Sequence, residues 1–332
     1  MRPFKYVRAA EPAAAVSAVT AAPGAVFVAG GTNLLDLMKE DVARPTQLVD
    51  ISGLRLSQIR SAGGRVSIGA LATNTDTANH PLIRQNYPLL TQAILAGASG
   101  QIRNMATNGG NLNQRTRCPY FYDVSMPCNK REPNSGCGAL KGVNRNHAIF
   151  GWSQKCVAVF PSDMAVALAA LDAVVKIQGA DGKVRSIPIA DYHRLPGDEP
   201  QKDNILRPGE LVVEIELPKN NFADRSYYLK VRDRASYAFA LVSVAAALET
   251  KGNTISDVRL AMGGVAHKPW RAAEAEKLLK GSAATEANFV QAAEAEMKLA
   301  RPLEHNRFKI ELGKRAIVRA LQMAMRGGRD RV

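Results

Sequence analysis

Residues 26–39 read VFVAGGTNLLDLMK, and this stretch decides how the first part of the chain folds. Three apolar residues predict a strand, Gly30-Gly31 predicts a tight turn, and leucines at helical spacing predict a helix. Glycines at such a turn leave backbone N–H groups open to close approach by an anion such as a diphosphate. A plain connection is the preferred interpretation of this stretch alone, because neither the Walker spacing nor a GxGxxG is present.

A second polar segment with a glycine pair occurs at residues 101–114, QIRNMATNGGNLNQ. Two separated segments of this kind, each beside an apolar element, can hold one extended diphosphate ligand from two sides. Two unrelated surface turns explain the pattern equally well. A diphosphate cofactor therefore becomes a hypothesis of equal standing.

Composition narrows the class of protein. With 332 residues, 46% hydrophobic and 22% charged, the chain has the make-up of a globular protein with a sizeable core. Its formal charge of +14 favours an acidic protein partner or an anionic cofactor, since no nucleic-acid-binding module is recognisable. No apolar run approaches the length of about 20 residues that crosses a membrane, and the N-terminus does not match a signal peptide.

Strand and helix patterns alternate without the regular βαβ repeat of a doubly wound sheet, which predicts an α+β fold. The first two thirds contain predicted strands at 4–8, 26–28, 47–51, 65–71, 184–189 and 211–217, and helices at 12–24, 34–39 and 88–97. The last third contains predicted strands at 226–234 and 238–248, and helices at 269–279, 286–299 and 308–325. Strands followed by helices predict a separate C-terminal α+β domain.

All four cysteines lie in one irregular stretch rich in proline and glycine, spaced C-x9-C-x8-C-x18-C. The absence of a CxxC pair argues against a zinc ribbon or a thioredoxin site. Four thiolates are the ligand set of a 4Fe-4S cluster, which ranks first, ahead of structural zinc and of disulfides. Nearby cations would offset the negative charge of such a cluster: Arg115, Arg117, Lys130, Arg131, Lys141 and Arg145.

Four sequence blocks stand in the order found in a known family. They are VFVAGGTN, TNGGNLNQ, FPSDMAVALAALDA and YYLKVRDRASYAFALVSVAAAL. Together they resemble the FAD-binding subunit of the xanthine dehydrogenase family of molybdenum hydroxylases, and within it the medium subunit of periplasmic aldehyde oxidoreductases. The resemblance implies an α+β, two-subdomain FAD-binding domain of the vanillyl-alcohol-oxidase (PCMH-like) type over 1–222, with subdomains of about 1–55 and 56–222. A C-terminal domain of the CO dehydrogenase flavoprotein type would follow over 223–332.

The resemblance also implies site residues. In the first block, backbone N–H groups and two side chains would contact the FAD diphosphate, through Ala29, Gly30, Gly31, Thr32 and Asn33. The second block would serve the other side through Thr107, Gly109 and Asn111. Asp163 would bond the polar chain of the cofactor, Val212 would lie against the flavin end, and Lys230 would stand near the isoalloxazine. No residue of this chain is expected to be catalytic toward the substrate.

Most flavoprotein subunits of this family run from the GGN block almost directly into the PSD block. Here an insert of about 115–160 separates them, and it contains every cysteine of the chain. The resemblance implies that the insert holds a 4Fe-4S cluster through Cys118, Cys128, Cys137 and Cys156.

The expected protein is therefore an oxidoreductase subunit of a heterotrimer that oxidises aldehydes to carboxylic acids. A small subunit would hold 2Fe-2S clusters, a large subunit would hold the molybdenum cofactor, and electrons would reach the FAD of this chain and then an external acceptor. The alternatives are a related hydroxylase acting on a purine, an aromatic acyl-CoA or CO, a stand-alone FAD oxidase, and a basic scaffold without a flavin.

The five histidines form no metal spacing and no catalytic triad, and they are expected at the surface or in helix caps. The location follows only from the resemblance: export to the periplasm with a partner that has a twin-arginine signal, with the cytoplasm as the alternative.

Overall fold

The computed structural model describes residues 1–327, which form three β-sheets with helices packed around them. The last residues of the predicted C-terminal domain, 328–332, lie outside the described part of the chain. Within residues 1–327, no helix is both long and apolar enough to cross a membrane.

The first sheet is parallel and has the order β1-β3-β2. Its elements are β1 (Lys5–Arg8), α1 (Pro12–Ala21), β2 (Ala25–Val28), α2 (Leu34–Lys39) and β3 (Gln47–Asp50). Helix α1 begins at Pro12, where a missing N–H costs nothing and the fixed φ angle suits a helix. The glycine turn follows the C-terminal end of β2, as the sequence predicts.

The second sheet is antiparallel and has the order β4-β5-β8-β6-β7. Its strands are β4 (Ile59–Ala62), β5 (Arg65–Gly69), β6 (Val174–Gln178), β7 (Val184–Pro188) and β8 (Leu211–Leu217). Seven α-helices and one 3-10 turn lie between β5 and β6: α3 (Asn74–Asn79), α4 (Pro81–Asn86), α5 (Pro88–Ala96), α6 (Gly100–Met105), α7 (Asn108–Leu112), α8 (Pro119–Tyr122), the 3-10 turn (Gly138–Leu140) and α9 (Asp163–Ala170). Helix α10 (Ile189–Tyr192) follows β7.

The third sheet is antiparallel and has the order β12-β11-β10-β9. Its elements are β9 (Ser226–Val231), β10 (Val242–Lys251), β11 (Thr254–Gly263), β12 (Trp270–Arg271), α11 (Ala273–Leu279), α12 (Glu286–Met297) and α13 (Phe308–Met325). Helices α11 to α13 cover one face of this sheet and enclose an aliphatic core with it.

Helix α9 lies between the second and third sheets, and all eight of its residues are buried. A helix that is apolar on every side must be enclosed by protein, because any exposed face would leave apolar surface in water. One continuous core accordingly includes α9, α5, the second sheet and residues of β10 and β11. This packing fixes Asp163, the first residue of α9, relative to the third sheet.

Three of the differences from the sequence prediction concern the third sheet and the second glycine segment. Residues 238–241 form a loop instead of the start of a strand, and Phe239 there is 52% exposed. Trp270 and Arg271 form the short strand β12, so the predicted helix starts only at Ala273. The second glycine segment forms the two short helices α6 and α7, because Ser99 and Thr107 cap them.

Gly30 is required by packing between two chain segments. A Cβ atom at this position would lie 1.7 Å from the carbonyl oxygen of Met105, at the end of α6. Gly31 is required for a different reason, since its φ of +70° is strained for other residues. The glycine pair therefore lets the first sheet approach α6 closely.

We expect Gly30→Ala to destabilise the FAD-free protein by about 3 kcal/mol, because the added methyl group overlaps backbone atoms that cannot move away. Gly100→Ala is the matched control, because a Cβ atom there would meet open space. Urea unfolding of both variants measures the difference. Equal stability of the two variants would contradict the packing requirement.

Candidate cofactor cavity and cysteine cluster

A cavity of about 960 Å³ lies where the first sheet, α6, α7, the start of α9 and the loop after β9 meet. This volume is at the upper end of the range for small-molecule and cofactor sites. Nine of the predicted cofactor residues line it: Ala29, Gly30, Gly31, Thr32, Asn33, Thr107, Asn111, Asp163 and Lys230. Which of them contact a cofactor stays a prediction.

The glycine turn presents unused hydrogen-bond donors to this cavity. No described residue accepts a hydrogen bond from the backbone N–H groups of Gly30, Gly31 or Thr32. The Asn33 side chain accepts from the backbone N–H of Arg115 at 2.9 Å, but its buried Nδ2 has no partner. A buried donor without an acceptor is costly, so this end of the cavity suits an anionic or carbonyl-bearing ligand.

The second block uses most of its polar groups internally. Thr107 Oγ1 accepts from the N–H of Gly110 and caps α7. The Asn111 side chain donates to Asn74 at 2.8 Å and accepts from Ser162 at 2.5 Å. Gly109 does not line the cavity, and its contact with a cofactor stays a prediction. Its N–H donates to the Ala70 carbonyl at 2.7 Å, and a Cβ atom would lie 3.1 Å from Ala70.

Val212 does not line the cavity either. It lies in β8 and is 4% exposed within the core between the second and third sheets. The expectation that Val212 lies against the flavin end stays a prediction. An apolar residue in an alternating strand is placed by the face of the sheet it occupies, and this face is covered by protein.

Asp163 and Lys230 form a buried ion pair at the cavity wall, with Nζ 2.7 Å from Oδ2 and side chains 8% and 4% exposed. The Tyr228 hydroxyl donates to the other carboxylate oxygen at 2.6 Å, and burial raises the pKa of Tyr228. Lys230 also donates to the Ala96 carbonyl oxygen. The pair joins α9, β9 and the end of α5, so the charge of Lys230 is offset within the protein.

All four cysteines line a second, much smaller cavity of about 10 Å³. The backbones of Cys128 and Cys137 pair as an antiparallel bridge, and Asn129 holds that turn through Gly136 and Lys155. The thiols are free, and the described residues contain no group of three or more His, Cys, Asp or Glu side chains placed as ligands of a metal ion. A cavity of about 10 Å³ is no larger than the space of about one water molecule, so a cluster at these thiols stays a prediction.

The cysteine thiols differ in their hydrogen bonds and burial, and their pKa values shift in different directions. The Cys156 thiol bonds to Cys137, which lowers the pKa of Cys137 and raises that of Cys156. Backbone N–H groups of Val157, Ala139 and Leu140 also favour the Cys137 thiolate. Burial raises the pKa of Cys118 to about 12. The site thus already contains donors of the kind that stabilise sulfur anions.

The six cations expected to offset a cluster differ in how the protein engages them, and their role at a cluster stays a prediction. Lys130 and Arg115 both pair with Asp203, and Arg145 pairs with Asp233. The Arg131 guanidinium binds carbonyl oxygens of residues 120–126 and so shapes the loop that follows Cys118. Two carboxylates therefore face three of these six cations, and the other three have no ion pair among the described residues.

The two cavities share a wall. Thr116 and Cys118 line both of them, and His147 lines the larger one. The Cys118 sulfur lies 3.1 Å from His147 Nε2. The insert therefore forms one side of the cofactor cavity, which sequence reasoning missed. The adjacent arginines Arg115 and Arg117 were the available signal, but they were assigned to the cysteines alone.

The histidine expectation is wrong for His147, His193 and His267, which are all buried. Burial lowers the pKa of His147 and of His193 to about 4, so both are neutral near pH 7. His193 bonds to the Leu112 carbonyl oxygen at 2.8 Å. His80 is a cap as expected, since its side chain accepts from the N–H of Leu82.

Comparison with known families decides the class. The family model for the FAD binding domain in molybdopterin dehydrogenase matches residues 2–220. The chain belongs to this family. The model for the CO dehydrogenase flavoprotein C-terminal domain matches residues 227–324. The resemblance, the α+β fold class and the role of an oxidoreductase subunit are confirmed, while the exact domain boundaries stay a prediction.

Relatives in this family cover nearly the whole chain. The aldehyde oxidoreductase FAD-binding subunit PaoB of Escherichia coli is 50% identical over 98% of this chain and 99% of the relative. The glyceraldehyde dehydrogenase medium chain of Sulfolobus acidocaldarius is 31% identical over 84% of this chain and 81% of the relative. A structure of carbon monoxide dehydrogenase from Hydrogenophaga pseudoflava superposes with a TM-score of 0.77 at 25% identity. The superposition covers 98% of this chain and 99% of that chain.

We expect Lys230→Met to destabilise the FAD-free protein by roughly 3–5 kcal/mol, because it leaves the buried Asp163 carboxylate without its cation. Thermal or urea unfolding measures this cost. Lys202→Met is the matched control, since its pair with Glu199 is 53% and 44% exposed and is worth at most about 1 kcal/mol.

The double variant Lys230→Met with Asp163→Asn is expected to recover part of the lost stability, because the uncompensated charge is removed. A single variant as stable as the Lys202→Met control would show that the pair is not a buried constraint.

Proposed function

We propose that this chain is the FAD- and 4Fe-4S-containing electron-transfer subunit of a heterotrimeric molybdenum aldehyde oxidoreductase. The observation that carries the aldehyde assignment is the 50% identity, along almost the full length, to an aldehyde oxidoreductase FAD-binding subunit. A second relative above 30% identity is named for the oxidation of glyceraldehyde.

The larger cavity suits FAD in volume and in donor chemistry. When bound, FAD supplies the redox step in which electrons from partner clusters are taken up and passed to an external acceptor. The residues of this chain hold the cofactor: the N–H groups of the glycine turn and the Asn33 amide offer donors to its polar part. The buried Asp163–Lys230 pair keeps the opposite wall rigid.

The cluster proposal rests on the four free cysteines around one small cavity. A cubane is larger than a metal ion, so its ligand sulfurs stand farther apart than those of a mononuclear site, and irregular loops can supply them. Backbone N–H groups directed at Cys137 would also stabilise a thiolate bound to iron.

Anaerobically purified protein is expected to contain about four iron and four acid-labile sulfide per chain, because four thiolates are the ligand set of a cubane. Cys128→Ser is expected to lose most of this iron, while Ser125→Ala, an exposed position in the same insert, retains it. Iron and sulfide assays with visible spectra measure both. Protein without iron would contradict the cluster, and stoichiometric zinc would favour a structural zinc site.

The partners proposed are a small 2Fe-2S subunit and a large molybdenum-cofactor subunit. Related chains are named medium chains or subunits, which is what an assembly of three kinds of subunit would require. The formal charge of +14 would assist docking to acidic partner surfaces. Export to the periplasm with a signal-bearing partner belongs to the same proposal, and the cytoplasm is the alternative location.

Aldehyde-dependent reduction of an acceptor is expected only when this chain is co-expressed with both partner subunits, because no residue of this chain is proposed to contact the aldehyde. Activity assays on the complex, with CO and a purine as competing substrates, measure this. Full aldehyde oxidation by the isolated chain would refute the subunit assignment. A complex active on CO or a purine but not on aldehydes would favour the related hydroxylases.

A further inference from the structure

Arg117 is a partly buried guanidinium on the wall of the cofactor cavity, and it belongs to the cysteine-bearing insert. No described carboxylate forms an ion pair with it. It donates to the Arg115 carbonyl oxygen, and its guanidinium carbon lies 5.3 Å from the centre of the Phe239 ring. A guanidinium has five N–H donors, so most of its hydrogen-bonding capacity is unused.

Of the other five long cations that line this cavity, four are engaged by the protein, and the fifth, Lys39, is exposed to solvent. Lys230 pairs with Asp163, and Arg115 pairs with Asp203. Arg103 donates to the carbonyl oxygen of Gly97 at 2.6 Å, and Arg234 donates to that of Ser236 at 3.2 Å. Arg117 therefore differs from them in having a desolvated charge with little internal compensation.

Arg117 also lies close to the glycine turn. The backbone N–H of Arg115, two residues earlier, donates to the Asn33 side chain at 2.9 Å, and the Tyr122 hydroxyl donates to Asp36 in the first turn of α2 at 2.8 Å. The unpaired Nδ2 of Asn33 and the free N–H groups of residues 30–32 belong to residues that line the same cavity. A cation and several neutral donors thus line one cavity, and no described carboxylate forms an ion pair with that cation.

We infer that Arg117 binds the diphosphate of FAD, so that the cysteine-bearing insert supplies the cation of the cofactor site. A guanidinium pairs with phosphate through two parallel hydrogen bonds, which an ammonium group does not reproduce. The inference rests on FAD as the ligand of this cavity, but it does not depend on the cluster.

The position of Arg117 is coupled to the cysteine site. The next residue, Cys118, lines both cavities, and its sulfur is held near His147. A displacement of Cys118 would therefore move Arg117 along the wall of the cofactor cavity. If the cluster is present, its removal would weaken FAD binding in the wild type but have little additional effect in an Arg117 variant.

The test uses the full chain stripped of FAD, with flavin fluorescence as the readout and ADP and adenosine as competitors. Arg117→Met is expected to weaken FAD by roughly 10- to 100-fold. It should reduce the preference for ADP over adenosine by a similar factor, because only ADP contains the diphosphate. Arg117→Lys should fall between the wild type and Arg117→Met.

Lys141→Met is the matched control, since it removes the same charge from an exposed position of the insert outside the cavity. It should leave FAD affinity unchanged. Arg117→Met protein that binds FAD as tightly as this control, or that loses ADP and adenosine affinity equally, would overturn the inference. Iron content is measured on every sample, so that absence of iron counts against the cluster alone.

Discussion

The buried ion pair between Asp163 and Lys230 is the interaction on which the arrangement of the cofactor cavity depends. Its carboxylate stands at the start of the fully buried α9, and its ammonium group projects from β9 of the third sheet. Neither charge is stable in this environment without the other, so the two parts of the chain have one favourable relative position. The hydroxyl of Tyr228 completes the pair and further restricts that position.

The cavity opposite this pair is made by close backbone approach and by the insert. Gly30 allows the first sheet to reach the end of α6, where any side chain would collide with Met105. The insert then closes another side, and Thr116 and Cys118 are common to the cofactor cavity and the cysteine cavity. A stretch that would otherwise be a long irregular loop thus has two structural tasks. This shared wall is the physical basis for coupling between the cysteine site and cofactor binding.

Internal charge compensation distinguishes the cations of the insert. Lys130 and Arg115 share one carboxylate, Asp203, and this joins the insert to the loop after α10. Arg131 instead binds carbonyl oxygens and stabilises the turn after Cys118. Arg117 has no carboxylate partner among the described residues and donates to one carbonyl oxygen, that of Arg115, which leaves it suited to an external anion. Net charge alone could not have separated these three roles.

The sequence by itself determined the family, the α+β class, the first glycine turn and the ends of strongly periodic elements such as β8 and α13, because these depend on local pattern and on the order of motifs. It also identified nine residues that line the cofactor cavity and the four cysteines that line the second. It failed where long-range packing decides.

Only the tertiary structure decided that Val212 and Gly109 lie outside the cavity lining, that three histidines are buried, and that Lys230 is already paired. It also decided that Arg117 faces the cofactor cavity. Local sequence gives the chemistry of a side chain, but the partner that satisfies or compensates it comes from a segment far along the chain, and only folding brings the two together.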